Sequence, residues 1–235
     1  MLLWAAKMKV FSSQLRARQL WATREAKCLS IIERALRMMR KIQDLPETEL
    51  ELNRRLYFCL VTASRELYPE DEIPPISDCN NQPDSDDEAR AKREQKRPDF
   101  QWIYLDRYES DPRRSSKQFV VECKRLGKPV RADWVFNLNY TNQGIIRFRE
   151  PEWAYAKRAP SGAMVGYWQS MEAGEVLSEA NGGCRRKSIP DLILVGGWNP
   201  AGISRLDHTF ERPFEISPFR LHHLWIDLRT RGSVG

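Results

Sequence analysis

The sequence predicts an α/β protein with a helical amino-terminal extension. Two patterns indicate this class. Apolar residues recur at helical spacing in the first 67 residues, whereas the period changes to two in segments 100–105 and 118–124. Helical and strand patterns alternate afterwards, which is typical of a sheet flanked by helices. The 235 residues, 41% apolar and 30% charged, suffice for one core or two small ones and exclude a wholly disordered chain.

The amino-terminal extension is predicted to span residues 1–45. No Gly or Pro lies between Phe11 and Asp44, which favours one long amphipathic helix or two in succession. Residues 1–45 hold ten Lys or Arg against three acids, so they account for the net charge of +6 and the remainder is slightly acidic. Such an extension attracts phosphate, although a solvated helix face is the alternative. The candidate nucleic-acid contacts are Arg16, Arg18, Arg24 and Lys27.

A second predicted helix opens the main domain, residues 46–235, with Pro46 in its first turn. Its predicted inward stripe consists of Leu52, Leu56, Cys59, Leu60, Ala63 and Leu67. Glu49, three residues before Leu52, shares this face, and Glu51 is the less favoured alternative. Segment 69–97 is rich in Pro and charge, which predicts an exposed loop with a short charged helix over 86–96.

Several further elements follow from the apolar pattern. Strands 100–105 and 118–124 are expected to pair across the polar turn 107–117. A helix over 139–148, a strand over 163–169, a helix over 171–180 and a last strand over 219–228 are also predicted. Alternation in the last strand places His222 and His223 on opposite faces, and a structural role is favoured for His223 and His208 over a catalytic one.

The segment that carries chemistry is Pro98-Asp99 together with Glu122-Cys123-Lys124. Residues two apart in a strand share a face, so Glu122 and Lys124 point together while Cys123 enters the opposite, apolar layer. If the strand that follows Asp99 pairs with this one, two carboxylates and one ammonium converge. Hard oxygen ligands of this kind suit Mg²⁺ or Mn²⁺, and the backbone carbonyl of Cys123 could add a further ligand.

Pro98-Asp99, the strand Phe119-Val-Val-Glu-Cys-Lys124 and the helix with Glu49 resemble the PD-(D/E)XK, or restriction-endonuclease-like, nucleases. The resemblance implies an αβββαβ core around a mixed central sheet. It also implies that Asp99 and Glu122 are metal ligands, Lys124 is the catalytic cation and Glu49 is an auxiliary acid. Gly144-Ile-Ile-Arg-Phe148, Tyr155 and segment 162–167 also resemble uncharacterised bacterial members of that superfamily, several of which are associated with defence against phage.

These observations predict a Mg²⁺- or Mn²⁺-dependent hydrolase that cleaves phosphodiesters, with DNA as the expected substrate. Arg125, next to the Glu122–Lys124 segment, is a candidate nucleic-acid contact or a salt-bridge partner. The runner-up is a non-catalytic nucleic-acid-binding or assembly subunit that forms a homodimer or docks on a partner through the amino-terminal helix. A third alternative is that Glu122 and Lys124 are only an exposed surface pair.

Two absences in the composition narrow the class further. Five scattered cysteines without a CxxC pair, and only three histidines, argue against a disulfide scaffold or a zinc site. No apolar run approaches the length of a membrane helix, and no signal peptide is evident. We therefore expect a cytoplasmic protein without membrane contact.

Overall fold

A mixed sheet forms the centre of the protein. The computed structural model describes residues 2–71, 74–81, 90–130 and 135–229. Within these residues the strands are β1 (Ile76–Ser77), β2 (Phe100–Leu105), β3 (Ser116–Leu126), β4 (Ser161–Trp168), β5 (Ile193–Val195), β6 (Ile203–Phe210) and β7 (Phe219–Asp227). They lie in the order β1-β2-β3-β4-β7-β6-β5. The β3–β4 and β4–β7 pairs are parallel and the other pairs are antiparallel, which confirms the predicted α/β class with a mixed sheet.

Helices connect and cover these strands. They are α1 (Leu2–Met39), α2 (Glu49–Leu67), α3 (Arg90–Glu94), α4 (Phe136–Tyr140), α5 (Ile146–Arg149) and α6 (Ala173–Arg186). A π-helical turn, Thr141–Ile145, joins α4 to α5. Apart from the five-residue α3 and a 3-10 turn over Pro112–Arg114, the order from α2 to β4 is one helix, three strands, one helical segment and one strand. None of the described helices combines the length and the apolar run that crossing a bilayer requires.

The helices lie on both faces of the sheet. On one face, Trp21 of α1 donates its indole N–H to the Ser161 hydroxyl at 2.8 Å. On the other face, the Tyr140 hydroxyl of α4 lies 2.7 Å from His223 Nδ1. His222, the next residue of β7, instead contacts Glu25 of α1. The predicted alternation of the last strand is therefore confirmed, and the sheet lies between two helical layers.

Helix α1 is continuous and packs into the same core as the sheet. It ends at Met39, before the predicted Asp44, which adopts a positive φ of 55° in the turn that follows. From Trp21 onward its inward side chains are buried, namely Trp21, Cys28, Ile31, Ile32, Ala35, Leu36 and Met39. This half of the helix is consequently a structural part of the molecule, because its apolar face is already covered.

Helix α2 begins later than predicted. Pro46 lies outside it, because Thr48 provides a better amino-terminal cap: its hydroxyl accepts the backbone N–H of Glu51 at 3.4 Å. The predicted inward stripe is buried as far as Ala63, but Leu67 is 41% exposed since the helix ends there. The main part of the predicted stripe is confirmed and its last member is wrong.

The predicted strands and helices around the site are confirmed, with shifted ends. Strand β2 has the predicted bounds, and β3, α4–α5, β4, α6 and β7 overlap the predicted segments. The predicted helix over 86–96 lies partly outside the described residues, and α3 is its described part. Strands β1, β5 and β6 were not predicted. In β6, the buried residues alternate with Arg205, Asp207 and Thr209, so its apolar signal is weak.

Candidate active site

Four predicted site residues from three parts of the chain meet at one end of the sheet. The β2–β3 register pairs Phe100 with Val121, which brings Asp99, just before β2, beside Glu122. The Asp99 carboxylate accepts the backbone N–H of Cys123 at 2.6 Å. The antiparallel pairing of β2 with β3 therefore makes the juxtaposition that the sequence required.

The Lys124 ammonium is the centre of this cluster. Its Nζ lies 2.6 Å from Glu49 Oε1, 2.7 Å from the Cys123 carbonyl and 2.9 Å from Glu122 Oε1. Glu122 is 0% exposed and Lys124 is 7% exposed. These values rule out the alternative that the two residues form an exposed surface pair.

Of the two candidate acids on α2, Glu49 is the one that reaches the cluster. Its Oε1 contacts Lys124, and its Oε2 accepts the backbone N–H of Arg125 at 3.3 Å. Glu51 instead accepts a hydrogen bond from the Thr48 hydroxyl at 2.8 Å. Glu51 therefore serves the helix cap, because its side chain points back along α2.

A second, partly buried cation, which the sequence did not single out as a site residue, joins the cluster from α5. Arg147 Nη1 lies 2.5 Å from Glu122 Oε1, and the guanidinium lies over the Trp153 ring, 4.3 Å from its centroid. The one available signal was a charged residue inside the apolar run Ile145, Ile146 and Phe148. Such a residue either reaches solvent or finds a buried partner, and here the partner is Glu122.

Asp99 is held from α2 as well as from β3. The Asn53 side-chain amide donates to Asp99 Oδ1 at 2.9 Å, and the Tyr167 hydroxyl donates to Asn53 Oδ1 at 2.8 Å. Asn53 lies one helical turn after Glu49, so both face the same end of the sheet. This spacing was the signal that could have identified Asn53.

Asp99 and Glu122 are in an environment that disfavours their charged forms. Burial, and then the charge of Glu122, raise the pKa of Asp99 well above its ordinary value. Burial also raises the pKa of Glu122, although Lys124 and Arg147 oppose this shift. Burial lowers the pKa of Lys124, but the charges of Glu122, Asp99 and Glu49 outweigh burial and raise it overall. The raised pKa favours the charged form of Lys124, which suits a charge-stabilising role better than that of a base.

Three buried polar atoms around Glu122 lack a hydrogen-bond partner among the described residues. They are Glu122 Oε2, the Tyr155 hydroxyl and Arg147 Nε. A buried polar atom without a partner costs roughly 1–3 kcal/mol, so such atoms are uncommon in folded proteins. Their occurrence in one cluster indicates a place where an ion, water or substrate completes the bonding.

The donor set suits a hard divalent cation. No group of three or more His, Cys, Asp or Glu side chains in the described ranges has the arrangement of a preformed metal site. Lys124 and Arg147 instead both contact Glu122 Oε1. Carboxylates of Asp99, Glu122 and Glu49, the Cys123 carbonyl and the unpartnered Glu122 Oε2 are nevertheless the oxygen ligands that Mg²⁺ and Mn²⁺ prefer.

The π-helical turn lies directly over this site. A Cβ on Gly144 would lie 2.3 Å from the Met164 terminal methyl and 3.4 Å from Lys124 Cγ. The absent side chain lets the turn approach the sheet closely. Single π-helical turns of this kind often occur at functional sites.

The basic residues predicted on α1 are not brought to the cluster. Arg24 donates to the Leu105 carbonyl at 3.0 Å, at the far end of β2 from Asp99, which is about 20 Å for six strand residues. Lys27 pairs with Asp71 and lies over the Tyr68 ring.

Two other α1 residues, Arg16 and Arg18, are exposed and lie further toward the amino terminus. Their role in nucleic-acid binding stays a prediction.

Arg125 lies beside the cluster but turns toward a different partner. Its Nε donates to Gln169 Oε1 at 2.6 Å, and its guanidinium lies over the Phe136 ring. Gln169 in turn donates to the Glu47 carbonyl at 3.1 Å. Arg125 therefore connects β3 to the segment before α2 through the neutral amide of Gln169, which is a structural role but not the predicted salt bridge.

Comparison of the chain with models of known protein families, with characterised proteins and with solved structures finds no match. The case for any function of this site thus depends on its own geometry and chemistry.

Proposed function

We propose that the protein is a metal-dependent nuclease that hydrolyses phosphodiesters of DNA. One observation carries the proposal: a buried ammonium lies within 2.9 Å of three oxygens from Glu49, Glu122 and Cys123, with the Asp99 carboxyl beside them. An oxygen cluster already organised around one cation is chemically suited to hold a second, divalent cation.

In this proposal Asp99 and Glu122, with the Cys123 carbonyl, hold Mg²⁺ or Mn²⁺. The metal would polarise the phosphate and lower the pKa of an attacking water. Lys124 stabilises negative charge on the reacting oxygens, since its raised pKa keeps it charged. Glu49 holds Lys124 in place through the 2.6 Å ion pair.

We also propose that the fold core is the αβββαβ core of the PD-(D/E)XK nucleases. The order of elements from α2 to β4 and the positions of Asp99, Glu122 and Lys124 on adjacent strands support this. A role in defence against phage would follow from the resemblance of the segment around Arg147 and Tyr155 to bacterial members of that superfamily.

The test is cleavage of plasmid and linear DNA with Mg²⁺ or Mn²⁺. We expect Lys124→Ala and Asp99→Ala to lose at least about 100-fold of the wild-type rate. The matched control is Lys117→Ala, because Lys117 lies in the same strand and also forms an ion pair, with Asp106, but near the far end of β2. Cleavage unaffected by the two site substitutions would show that the mechanism is wrong.

One observation favours the runner-up, a nucleic-acid-binding or assembly subunit without turnover. Lys124 and Arg147 both pair with Glu122, so cations of the protein already offset part of the cluster's negative charge without a metal. Its docking surface would lie before Trp21, because the later apolar face of α1 is buried. A wild-type protein that binds DNA but neither binds Mn²⁺ nor cleaves DNA would favour this interpretation. A dimer in solution would assign the docking surface on α1 to a second copy of the chain.

A further inference from the structure

We propose that Arg147 and Tyr155 form the phosphate-contacting side of the site and bind the non-bridging oxygens of a nucleic-acid phosphate. This inference rests on the proposed function, because it assigns the substrate contacts of the same cluster. It concerns two residues of the segment that follows the π-helical turn.

Tyr155 is fixed in place on every side except at its hydroxyl. The residue is 0% exposed, and its backbone N–H donates to the Arg147 carbonyl at 3.1 Å. Its ring makes edge contacts with Phe148 and Trp153, at centroid distances of 5.8 and 6.0 Å. The ring position is thus determined by packing, while the hydroxyl has no partner among the described residues. A tyrosine needed only for packing would be served equally well by phenylalanine, without the buried polar atom.

Arg147 has donors to spare. One of its nitrogens contacts Glu122 Oε1, and its Nε is buried without a partner within the described ranges. The Trp153 ring holds the guanidinium plane from one side. A planar guanidinium with free donors is the group that best matches two oxygens of a phosphate.

The charge of the cluster explains why a bound metal would favour the binding of a phosphate. Three carboxylates, of Glu49, Asp99 and Glu122, outnumber the two cations, Lys124 and Arg147, by one charge when all are ionised. A bound divalent cation reverses this balance to one positive charge. The site would then attract a singly charged phosphodiester, and Arg147 could share its donors between Glu122 and the phosphate.

The experiment measures DNA and metal affinity separately. We expect Tyr155→Phe to weaken binding of a labelled DNA duplex in Ca²⁺ at least fivefold, while the affinity for Mn²⁺ without DNA changes less than twofold. Arg147→Gln should weaken DNA binding as well and lower the slope of log affinity against log salt by about one, since one phosphate contact is lost.

The matched control is Tyr140→Phe. The Tyr140 hydroxyl is buried in the same layer, but it accepts the Trp225 indole N–H at 2.9 Å and lies 2.7 Å from His223 Nδ1. We expect its removal to lower the unfolding midpoint and to leave DNA affinity unchanged. Tyr155→Phe should instead weaken DNA binding without lowering the unfolding midpoint, because it removes a hydroxyl that has no partner among the described residues.

Unchanged DNA affinity and cleavage in Tyr155→Phe would overturn the inference. A wild-type protein that neither binds Mn²⁺ nor cleaves DNA would overturn the proposed nuclease function. In that case, loss of DNA affinity in Tyr155→Phe would still support the phosphate contact, so the two failures are distinguishable.

Discussion

The molecule has two buried cationic regions, the cluster around Lys124 and the surroundings of Arg212. Different groups compensate the buried positive charge in the two regions. Arg212 is 5% exposed, and the hydrogen-bond partners of its guanidinium among the described residues are all backbone carbonyls. The six acceptors are the carbonyls of Ile216, Phe148, Tyr155, Ala156, Lys157 and Ala159. Lys124 and Arg147, by contrast, contact carboxylates that also have an unpartnered oxygen.

The type of partner, carbonyl or carboxylate, distinguishes a structural cation from a functional one. Backbone carbonyls are fixed by the fold and carry no net charge, and burial lowers the pKa of Arg212 to about 9. Carboxylates can exchange one cation for another, as a metal site requires. The two regions are also connected, because Arg212 binds four carbonyls within residues 155–159 and so positions the Tyr155 segment.

The largest effect is expected from Arg212→Lys. An ammonium has three donors in place of a planar set of five and cannot reach the same carbonyls, so the free energy of unfolding should fall by about 3–5 kcal/mol. Urea unfolding followed by circular dichroism measures this. Arg205→Lys is the control, since that arginine pairs with Glu33 at the surface and should change stability by less than about 1 kcal/mol. If Arg212→Lys also lowers the free energy of unfolding by less than about 1 kcal/mol, a structural role of Arg212 is contradicted.

The next effect is the pH dependence of stability from His208. Burial lowers the pKa of His208 to about 4, below its ordinary value of 6.5. Above pH 6.5 both the folded and unfolded forms are neutral, and this contribution is fully present. As the pH falls from 6.5 toward 4, His208 is protonated in the unfolded state but stays neutral in the folded state. The free energy of unfolding therefore falls by about 3 kcal/mol.

Unfolding measured between pH 4 and 7 tests this expectation. His208→Gln keeps a donor for the Pro190 carbonyl, which His208 Nε2 contacts at 2.6 Å, but cannot titrate. The pH profile of this variant should be flatter by that amount. Parallel profiles for the variant and the wild type would show that His208 contributes nothing to acid lability.

A smaller effect is expected from metal binding to the Lys124 region. Mn²⁺ at 100 times its dissociation constant should raise the free energy of unfolding by about 2.7 kcal/mol, because it binds the folded state. Glu122→Gln should abolish this gain, whereas Arg205→Lys should retain it. If Mn²⁺ still stabilises Glu122→Gln, the metal binds elsewhere. The proposed distinction between Lys124, which a metal can displace from its carboxylates, and Arg212, which is fixed on backbone carbonyls, would then be wrong.

Local patterns alone predicted much of the architecture around the site. The apolar runs of β2, β3 and β4 and the helical stripe of α2 were readable because each element buries one strong periodic face. Alternation also placed Glu122 and Lys124 together and Cys123 behind them. The position of Asp99 needed only the additional assumption that the two strands pair, which the polar turn between them favoured.

Tertiary structure alone decided which partners complete the cluster and what holds it. Arg147 and Tyr155 reach it from α5 and from the segment that follows α5, and no spacing in the chain encodes those two contacts. Helix α1 was predicted as a basic arm, yet the apolar face of its second half is buried, because a helical stripe does not say what will cover it. Secondary structure follows from neighbours along the chain, whereas contacts between distant segments depend on how the layers pack.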